Sequence, residues 1–318
     1  MNSKVKKIVN NKQVHFLDTL ETTSDKQRVS QYYKAIRKFK TNEKILTLVD
    51  ATNNQKDKKT YWQTYHCNNV LLQENNVFKG SLCRKRWCTE CNRIRTAELV
   101  KAYKDELLNL SDLQFVTLTI PNVKKHELRR TIQSMVKAFQ LIKDNIKKNH
   151  KITLSGVRKI ETTHNETTNE YHPHFHFILH NFTHAQLLVE LWLKQFRNAD
   201  ALAQNITRID TTNEKSFIEL FKYATKETNA NGLRYNGSVL HTIYSAIKGV
   251  RIFQPFGNVK KDKTPLVRTA ETILTHVEPT LEIWIFRHEK KDWFNANDNC
   301  LINTFELSRK LTLETHNE

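Results

Sequence analysis

The chain lacks any apolar run long enough to span a bilayer, and its first residues, Met1 to Lys7, lack the apolar core of a secretory signal. Glycine and proline are also scarce, with 6 and 5 residues in 318, which argues against a low-complexity disordered chain. We therefore expect a soluble cytoplasmic protein that has no membrane partner.

Acidic residues are too few to balance the basic ones: 33 Asp and Glu face 51 Lys and Arg, for a formal net charge of +18. This excess is larger than solubility requires, and it is typical of proteins with a polyanionic partner. By charge alone, nucleic acid is the first candidate partner and an anionic membrane surface is the second, although we expect no membrane partner.

Cysteine is rare, yet four of the five cysteines fall within 25 residues, at Cys67, Cys83, Cys88 and Cys91. In a cytoplasmic protein such clustering favours metal binding over disulfides. Zinc takes four ligands in a tetrahedron, and a Cys-x2-Cys turn supplies two of them. His66 could replace one cysteine, and buried free thiols or a redox role stay open.

The most informative motif is a row of histidines in an apolar strand, at His172, His174 and His176. Successive strand side chains point to opposite faces, so the histidines share one face, while the intervening Phe175 and Phe177 can enter a core. Two such imidazoles can converge on one divalent ion. An exposed strand face that happens to carry histidines is the alternative.

A carboxylate in the preceding strand could complete this site. Glu161 lies on the strand face opposite that of Ile160, and in a hairpin it could approach His174 and His176. Two imidazoles and one carboxylate suit Mg²⁺ or Mn²⁺, with coordination positions left for substrate oxygens. His164 and His172 are reserve ligands.

A candidate nucleophile lies in a predicted helix, where Glu219, Tyr223 and Lys226 are spaced i, i+4 and i+7 on one face. A tyrosine, a carboxylate and a lysine then project together. The alternative is an ordinary amphipathic helix with surface charges.

Hydrophobic periodicity predicts an α+β fold, an antiparallel sheet that helices cover on one side. Beyond residue 249 the pattern weakens. The predicted elements are helices over about 24–39, 96–110, 126–148, 183–197 and 211–228, and strands over about 114–120, 152–162, 172–179, 205–210 and 281–286. The domains we expect are a basic N-terminal extension (1–60), a cysteine-rich zinc element (61–95), a nuclease domain (96–250) and a C-terminal extension (251–318).

Four motifs in order resemble the replication initiators of rolling-circle plasmids, within the superfamily of histidine-hydrophobic-histidine (HUH) endonucleases. The resemblance is greatest to the Rep proteins of small staphylococcal and bacillus plasmids, and it covers roughly residues 61–228. The motifs are the cysteine pattern Cys67 to Cys91, the strand Phe115 to Thr119, the histidine strand with Glu161, and Glu219 to Lys226.

The resemblance implies an antiparallel, ferredoxin- or RRM-like core with a zinc element. It also implies that His174 and His176 bind the catalytic metal with Glu161 as third ligand, that Tyr223 is the nucleophile and that Glu219 ends a replication round. Lys226, one turn beyond Tyr223, could lower the pKa of the phenol or bind phosphate oxygens. The implied function is strand-specific nicking and closing at a plasmid origin through a 5′-phosphotyrosine.

The implied partners are plasmid origin DNA, as duplex and as single strand, and a host helicase and polymerase, with the oligomeric state left open. A relaxase or single-tyrosine transposase of the same superfamily is the enzymatic alternative. A zinc-containing DNA-binding regulator without enzymatic activity is the alternative from another class.

Overall fold

The computed structural model describes residues 23–74, 77–210, 221, 227–229, 232–261 and 282–302. These residues form two compact units, one from the chain up to Cys91 together with residues 282–302, and the other from Asn92 to residue 261. The predicted nucleophile helix, residues 211–228 with Glu219, Tyr223 and Lys226, lies outside the described residues apart from Phe221, Glu227 and Thr228, and the last two are not helical.

The first unit pairs two helices with an antiparallel sheet whose described strands run in the order β2-β1-β8-β9. Its apolar core contains Leu71, Trp284, Phe286 and Trp293, all buried together with Ala35 of the first helix. The elements are α1 (Thr23–Asp50), α2 (Gln55–Tyr65), β1 (Val70–Glu74), β2 (Val77–Gly80), β8 (Glu282–Arg287) and β9 (Asp292–Phe294).

The second unit is built on an antiparallel sheet whose described strands run in the order β6-β3-β5-β4-β7. Its elements are α3 (Thr89–Leu108, whose first residues belong to the first unit), β3 (Leu113–Thr119), α4 (Leu128–His150), β4 (Gly156–Asn165), β5 (Glu170–His180), α5 (Phe182–Gln195), β6 (Asn205–Arg208), α6 (Gly237–Ala246) and β7 (Phe253–Phe256). The predicted α+β fold with antiparallel sheets is confirmed.

The histidine strand β5 is the central strand of this sheet, and its phenylalanines form the main core. Phe175 and Phe177 lie against Phe139 of α4, with ring centroids 6.3 and 5.1 Å apart, and Trp192 of α5 lies 5.7 Å from Phe175. Helix α4 reaches this face because its apolar residues recur every three or four positions.

The expectation that helices cover only one side of the sheet was wrong. On the histidine face, Tyr103 and Leu107 of α3 form a buried cluster with Val157 and Ile178. Ile178 lies two residues beyond His176 on the same face, so this face is apolar around Ile178 and carries the row of three histidines towards its other end. An apolar stripe on α3 packs on the apolar end of this face, and the end with the three histidines is left for a functional site.

Several elements differ from their predicted bounds. Helix α1 continues to Asp50, and α2, β1, β2, α6, β7 and β9 were not predicted. Strand β7 pairs with β4 from Phe253 to Phe256, so the sheet of the second unit extends past residue 250. None of the helices in the described part of the chain is long and apolar enough to cross a membrane.

Candidate metal centres

Strand pairing brings the predicted metal ligands of the second unit together. Glu161 of β4 lies directly opposite His174 of β5, and His176 is two residues further along the same face. One ligand atom from each of the three residues lies within 4.8 Å of the others. The cluster is a group that could hold a metal ion, and its two imidazoles and one carboxylate fit Mn²⁺ or Mg²⁺.

Each imidazole is oriented through its Nδ1 atom. His174 Nδ1 lies 3.0 Å from the carbonyl oxygen of His172. His176 Nδ1 lies 3.1 Å from the hydroxyl of Thr117, the residue paired with His176 on β3. An N–H at Nδ1 that donates to such an oxygen sets the tautomer in which Nε2 carries the lone pair for a metal. Nε2 of His176 lies 4.0 Å from the Glu161 carboxylate.

The charge of Glu161 is balanced by Lys159, whose Nζ lies 3.0 Å from the carboxylate, with both side chains almost fully buried. Burial opposes ionisation of Glu161, but the positive charges of Lys159, His174 and His176 outweigh it and lower the pKa of the carboxyl group. The carboxylate is therefore ionised at neutral pH, as a metal ligand must be.

The two reserve ligands are not part of this group. Burial, with the neighbouring charge of His174, lowers the pKa of His172 to about 4, and His172 is absent from the cluster. The Nε2 atom of His164 lies 3.0 Å from the side-chain oxygen of Asn169, and its backbone N–H donates to the Tyr235 hydroxyl.

Residues on either side of the predicted nucleophile are described. Phe221 is buried in the apolar cluster on the histidine face, and its carbonyl oxygen accepts a hydrogen bond from the Thr96 hydroxyl at 3.2 Å. The carboxylate of Glu227 accepts a hydrogen bond from the Tyr244 hydroxyl at 2.7 Å. Tyr223 lies between these two positions in the chain.

In the first unit, the four clustered cysteines bring their sulfurs together as predicted, and exposed His66 is not in the group. The Cys67–Cys91, Cys83–Cys91 and Cys67–Cys88 sulfur separations are 3.6, 3.7 and 3.7 Å. Tetrahedral Zn–S bonds of about 2.3 Å place sulfurs about 3.8 Å apart, so the geometry fits zinc.

The surroundings of the four sulfurs suit a negatively charged cluster. Backbone N–H groups of Cys83 and Arg84 donate to the sulfurs of Cys67 and Cys91, each at 3.3 Å. Lys38 is buried beside Cys67 and Cys88, and burial lowers its pKa to about 8 although the nearby cysteine charges oppose the shift. Four thiolates on Zn²⁺ carry a net charge of −2, which a buried ammonium group would offset.

Sequence reasoning missed Lys159, Thr117 and Lys38. Lys159 could have been found, because it precedes Glu161 by two residues and so shares its strand face. Thr117 lies in the strand motif of the resemblance, but its contact with His176 depends on the register of β3 against β5. Lys38 is 29 residues from the first cysteine, and no local pattern connects them.

Comparison with known proteins identifies the family of the chain. A family model described as "Replication protein" matches residues 74–282, more than half of the chain. The chain therefore belongs to the replication protein family. Among solved structures, none matches the chain significantly.

Curated relatives give the same result in more detail. A "Protein rep" of Staphylococcus aureus is 29% identical over 180 residues, which cover 50% of this chain and 75% of that protein. A "Protein rep" of a Bacillus species is 26% identical over 185 residues, which cover 48% of this chain and 59% of that protein. A "Protein rep" of Streptococcus pneumoniae is 29% identical over 113 residues, which cover 34% of that protein. The resemblance to plasmid Rep proteins is confirmed.

Proposed function

We propose that this protein initiates rolling-circle replication of a plasmid by nicking one strand of the origin and later closing it. The observation that carries the proposal is the cluster of Glu161, His174 and His176 in a member of the replication protein family. A purely structural histidine strand would not need a buried, ionised carboxylate opposite it.

In this mechanism Glu161, His174 and His176 hold a divalent ion, Mn²⁺ or Mg²⁺, on the central strand pair. When bound, the ion polarises the scissile phosphate and offsets charge in the transition state. Thr117 and the His172 carbonyl fix the two imidazoles, while Lys159 keeps the carboxylate ionised. These contacts would hold the ligands in place before DNA binds, which lowers the cost of assembling the site.

Tyr223 is the proposed nucleophile. The phenol loses its proton to water and its oxygen attacks the phosphorus. The bond from phosphorus to the 3′ oxygen breaks, and that oxygen takes a proton from water to become a 3′-OH. The 5′ phosphate stays on the tyrosine, so the energy of the phosphoester bond is conserved for closing. Lys226 would bind a phosphate oxygen or lower the phenol pKa, and Glu219 would activate water at the end of a round.

Burial of Phe221 on the histidine face supports this assignment, because it anchors the chain two residues before Tyr223 on the face that carries the metal cluster. Tyr235 and Tyr244 are weaker candidates, since both are buried and both hydroxyls are hydrogen-bonded. A free 3′-OH would prime a host polymerase, with a host helicase opening the duplex. We assign this chemistry to the second unit, from Asn92 to residue 261, which contains the nuclease domain expected over residues 96–250.

The test is nicking of a supercoiled plasmid that carries the cognate origin. With Mn²⁺ the protein should convert it to the open circular form, and with EDTA it should not. A DNA-binding regulator would leave the plasmid closed under both conditions while still retarding an origin fragment.

We also propose that the cysteine cluster holds a structural zinc ion. Replacing Cys88 and Cys91 with serine should then lower the free energy of unfolding by about 3 kcal/mol or more, because structural zinc contributes folding free energy directly. Thermal unfolding of the two proteins would measure the loss. Replacing exposed Cys300, which is outside the cluster, with serine is the matched control. Absence of zinc from freshly purified native protein by elemental analysis would contradict the proposal.

DNA binding should weaken steeply as salt rises, given the net charge of +18 and the basic runs at 84–95 and 143–151. Each phosphate neutralised on duplex DNA contributes about −0.9 to the slope of log affinity against log salt. Fluorescence anisotropy on an origin duplex between 50 and 200 mM salt, conditions in the range where this effect is large, would give the slope. A flat dependence would argue against a phosphate-binding surface.

A further inference from the structure

A basic cleft lies on the face of the second sheet that is opposite the histidines. It has a volume of about 540 Å³ and lies between α4 and the segment that joins α6 to β7. That volume is within the usual range for ligand sites. Its lining includes five cationic side chains and, among the described residues, no acidic one. The cations are Arg129, Lys137, Arg158, Lys248 and Arg251.

Arg158 contributes a buried charge with no carboxylate beside it among the described residues. Its side chain is 0% exposed, and Nη2 donates to the Arg251 carbonyl and to the Gln254 side chain, both at 2.9 Å. Nε and Nη1 have no hydrogen-bond partner within the part of the chain that the structure describes. Burial lowers its pKa to about 10, so the guanidinium remains charged at neutral pH. A buried cation of this kind raises the positive potential of the adjoining cleft.

The wall of the cleft is held in a defined position. Arg129 Nη1 on α4 donates to the carbonyl oxygens of Ser245 and Lys248, at 2.9 and 3.1 Å. These bonds tie the segment after α6 to α4. Gly249 then turns the segment at a φ of +82°, a conformation that side chains other than glycine rarely adopt. Arg129 and the backbone of this wall are therefore held in place before any ligand arrives, which reduces the entropic cost of binding.

The cleft is separate from the candidate metal site formed by Glu161, His174 and His176. Arg158 and Lys159 are neighbours on β4, and successive strand residues point to opposite faces. Lys159 contacts Glu161 on the histidine face, while Arg158 packs between Phe139 and Phe175 on the other. A ligand in the cleft would therefore lie across the sheet from the scissile phosphate.

We propose that this cleft is a second DNA-binding site, which takes backbone phosphate groups of the origin outside the nick site. Several cations without a carboxylate are the chemistry that neutralises phosphate, and phosphate contacts position a protein on DNA without reading its sequence. The proposal rests on the proposed function for the identity of the DNA. A free nucleotide or inorganic phosphate offers the same chemistry, so the test separates these sources from DNA.

The test replaces two exposed residues of the cleft wall, Lys137→Gln with Arg251→Gln, which should not disturb the core. The matched control is Lys125→Gln with Arg130→Gln, two exposed residues outside the cleft that remove the same charge. Relative to the control, the cleft variant should bind an origin duplex about tenfold more weakly. The slope of log affinity against log salt should fall by about one to two, as expected for two lost phosphate contacts.

Cleavage of a short oligonucleotide limited to the nick site, at saturating concentration, should be equal in both variants. Affinity and salt slope equal to those of the control would overturn the proposal, and so would calorimetric binding of dATP or inorganic phosphate that only the cleft variant loses while DNA binding is unchanged. Loss of nicking on the short oligonucleotide would also overturn it. The affinity measurement needs no catalysis, so failure of the nicking function would be recognised separately.

Discussion

Replacing His174 with alanine should reduce origin nicking about a thousandfold or more while leaving binding to the origin duplex nearly unchanged. The expected loss corresponds to about 4 kcal/mol of transition-state stabilisation, a size typical of removing a catalytic metal ion. Duplex binding should persist because it depends on contacts to the DNA backbone and grooves rather than on the scissile phosphate. His174 is buried opposite Glu161, so its loss removes one of the three residues that could hold the ion.

His180→Ala is the matched control for this variant. His180 lies on the same strand and the same face, is not part of the metal cluster, and places its Nδ1 2.6 Å from the Ser111 carbonyl oxygen. It should nick at close to the wild-type rate in Mn²⁺. If His174→Ala does so as well, the histidine strand is structural and the proposed metal site is wrong.

Tyr223→Phe and Glu219→Ala should separate initiation from termination. The phenylalanine variant lacks the oxygen that forms the covalent bond, so initial nicking and the protein–DNA adduct should both disappear. The alanine variant keeps the nucleophile, so first cleavage should persist while hydrolytic release fails, because a carboxylate is the general base for water. A gel of adduct and product lengths should show multimeric single strands for Glu219→Ala and no adduct for Tyr223→Phe.

Two outcomes would change the residues to which these roles are assigned. An adduct in Tyr223→Phe would mean that another tyrosine attacks, although Tyr235 and Tyr244 are both almost fully buried. Normal termination by Glu219→Ala would leave its carboxylate as surface charge and direct attention to Glu227 or a second protomer. Tyr244→Phe is a useful control, since it removes the hydrogen bond from the Tyr244 hydroxyl to Glu227 and leaves residue Tyr223 unchanged.

Strand alternation made the metal cluster predictable. His174 and His176 alternate with phenylalanines that need a core, so their common face follows from a local pattern. Glu161 became a candidate because a short polar turn implied a hairpin, and the pairing of Glu161 with His174 confirms that reading. The cysteine cluster was predictable for a similar reason, because four ligands within 25 residues need little long-range folding to meet.

The parts that could not be predicted depend on contacts between distant segments. Strand β8 pairs with β1 across more than 200 residues, as in the Val70–Ile285 pair, and no local pattern indicates such a partner. The packing of α3 over the apolar end of the histidine face likewise requires the tertiary arrangement. Arg158 is a further example, because a basic residue in a largely polar strand gives no sign that it will be buried against Phe175.

The most direct measurement of the central claim is the identity of the residue that becomes attached to DNA. A single-stranded oligonucleotide spanning the nick site would be incubated with the wild-type protein and Mn²⁺, and the linked peptide would be mapped by mass spectrometry after digestion. We predict a 5′-phosphotyrosine at Tyr223 that forms in Mn²⁺ and not in EDTA. An adduct at another residue, or an equal yield of adduct in EDTA, would contradict metal-dependent attack by Tyr223.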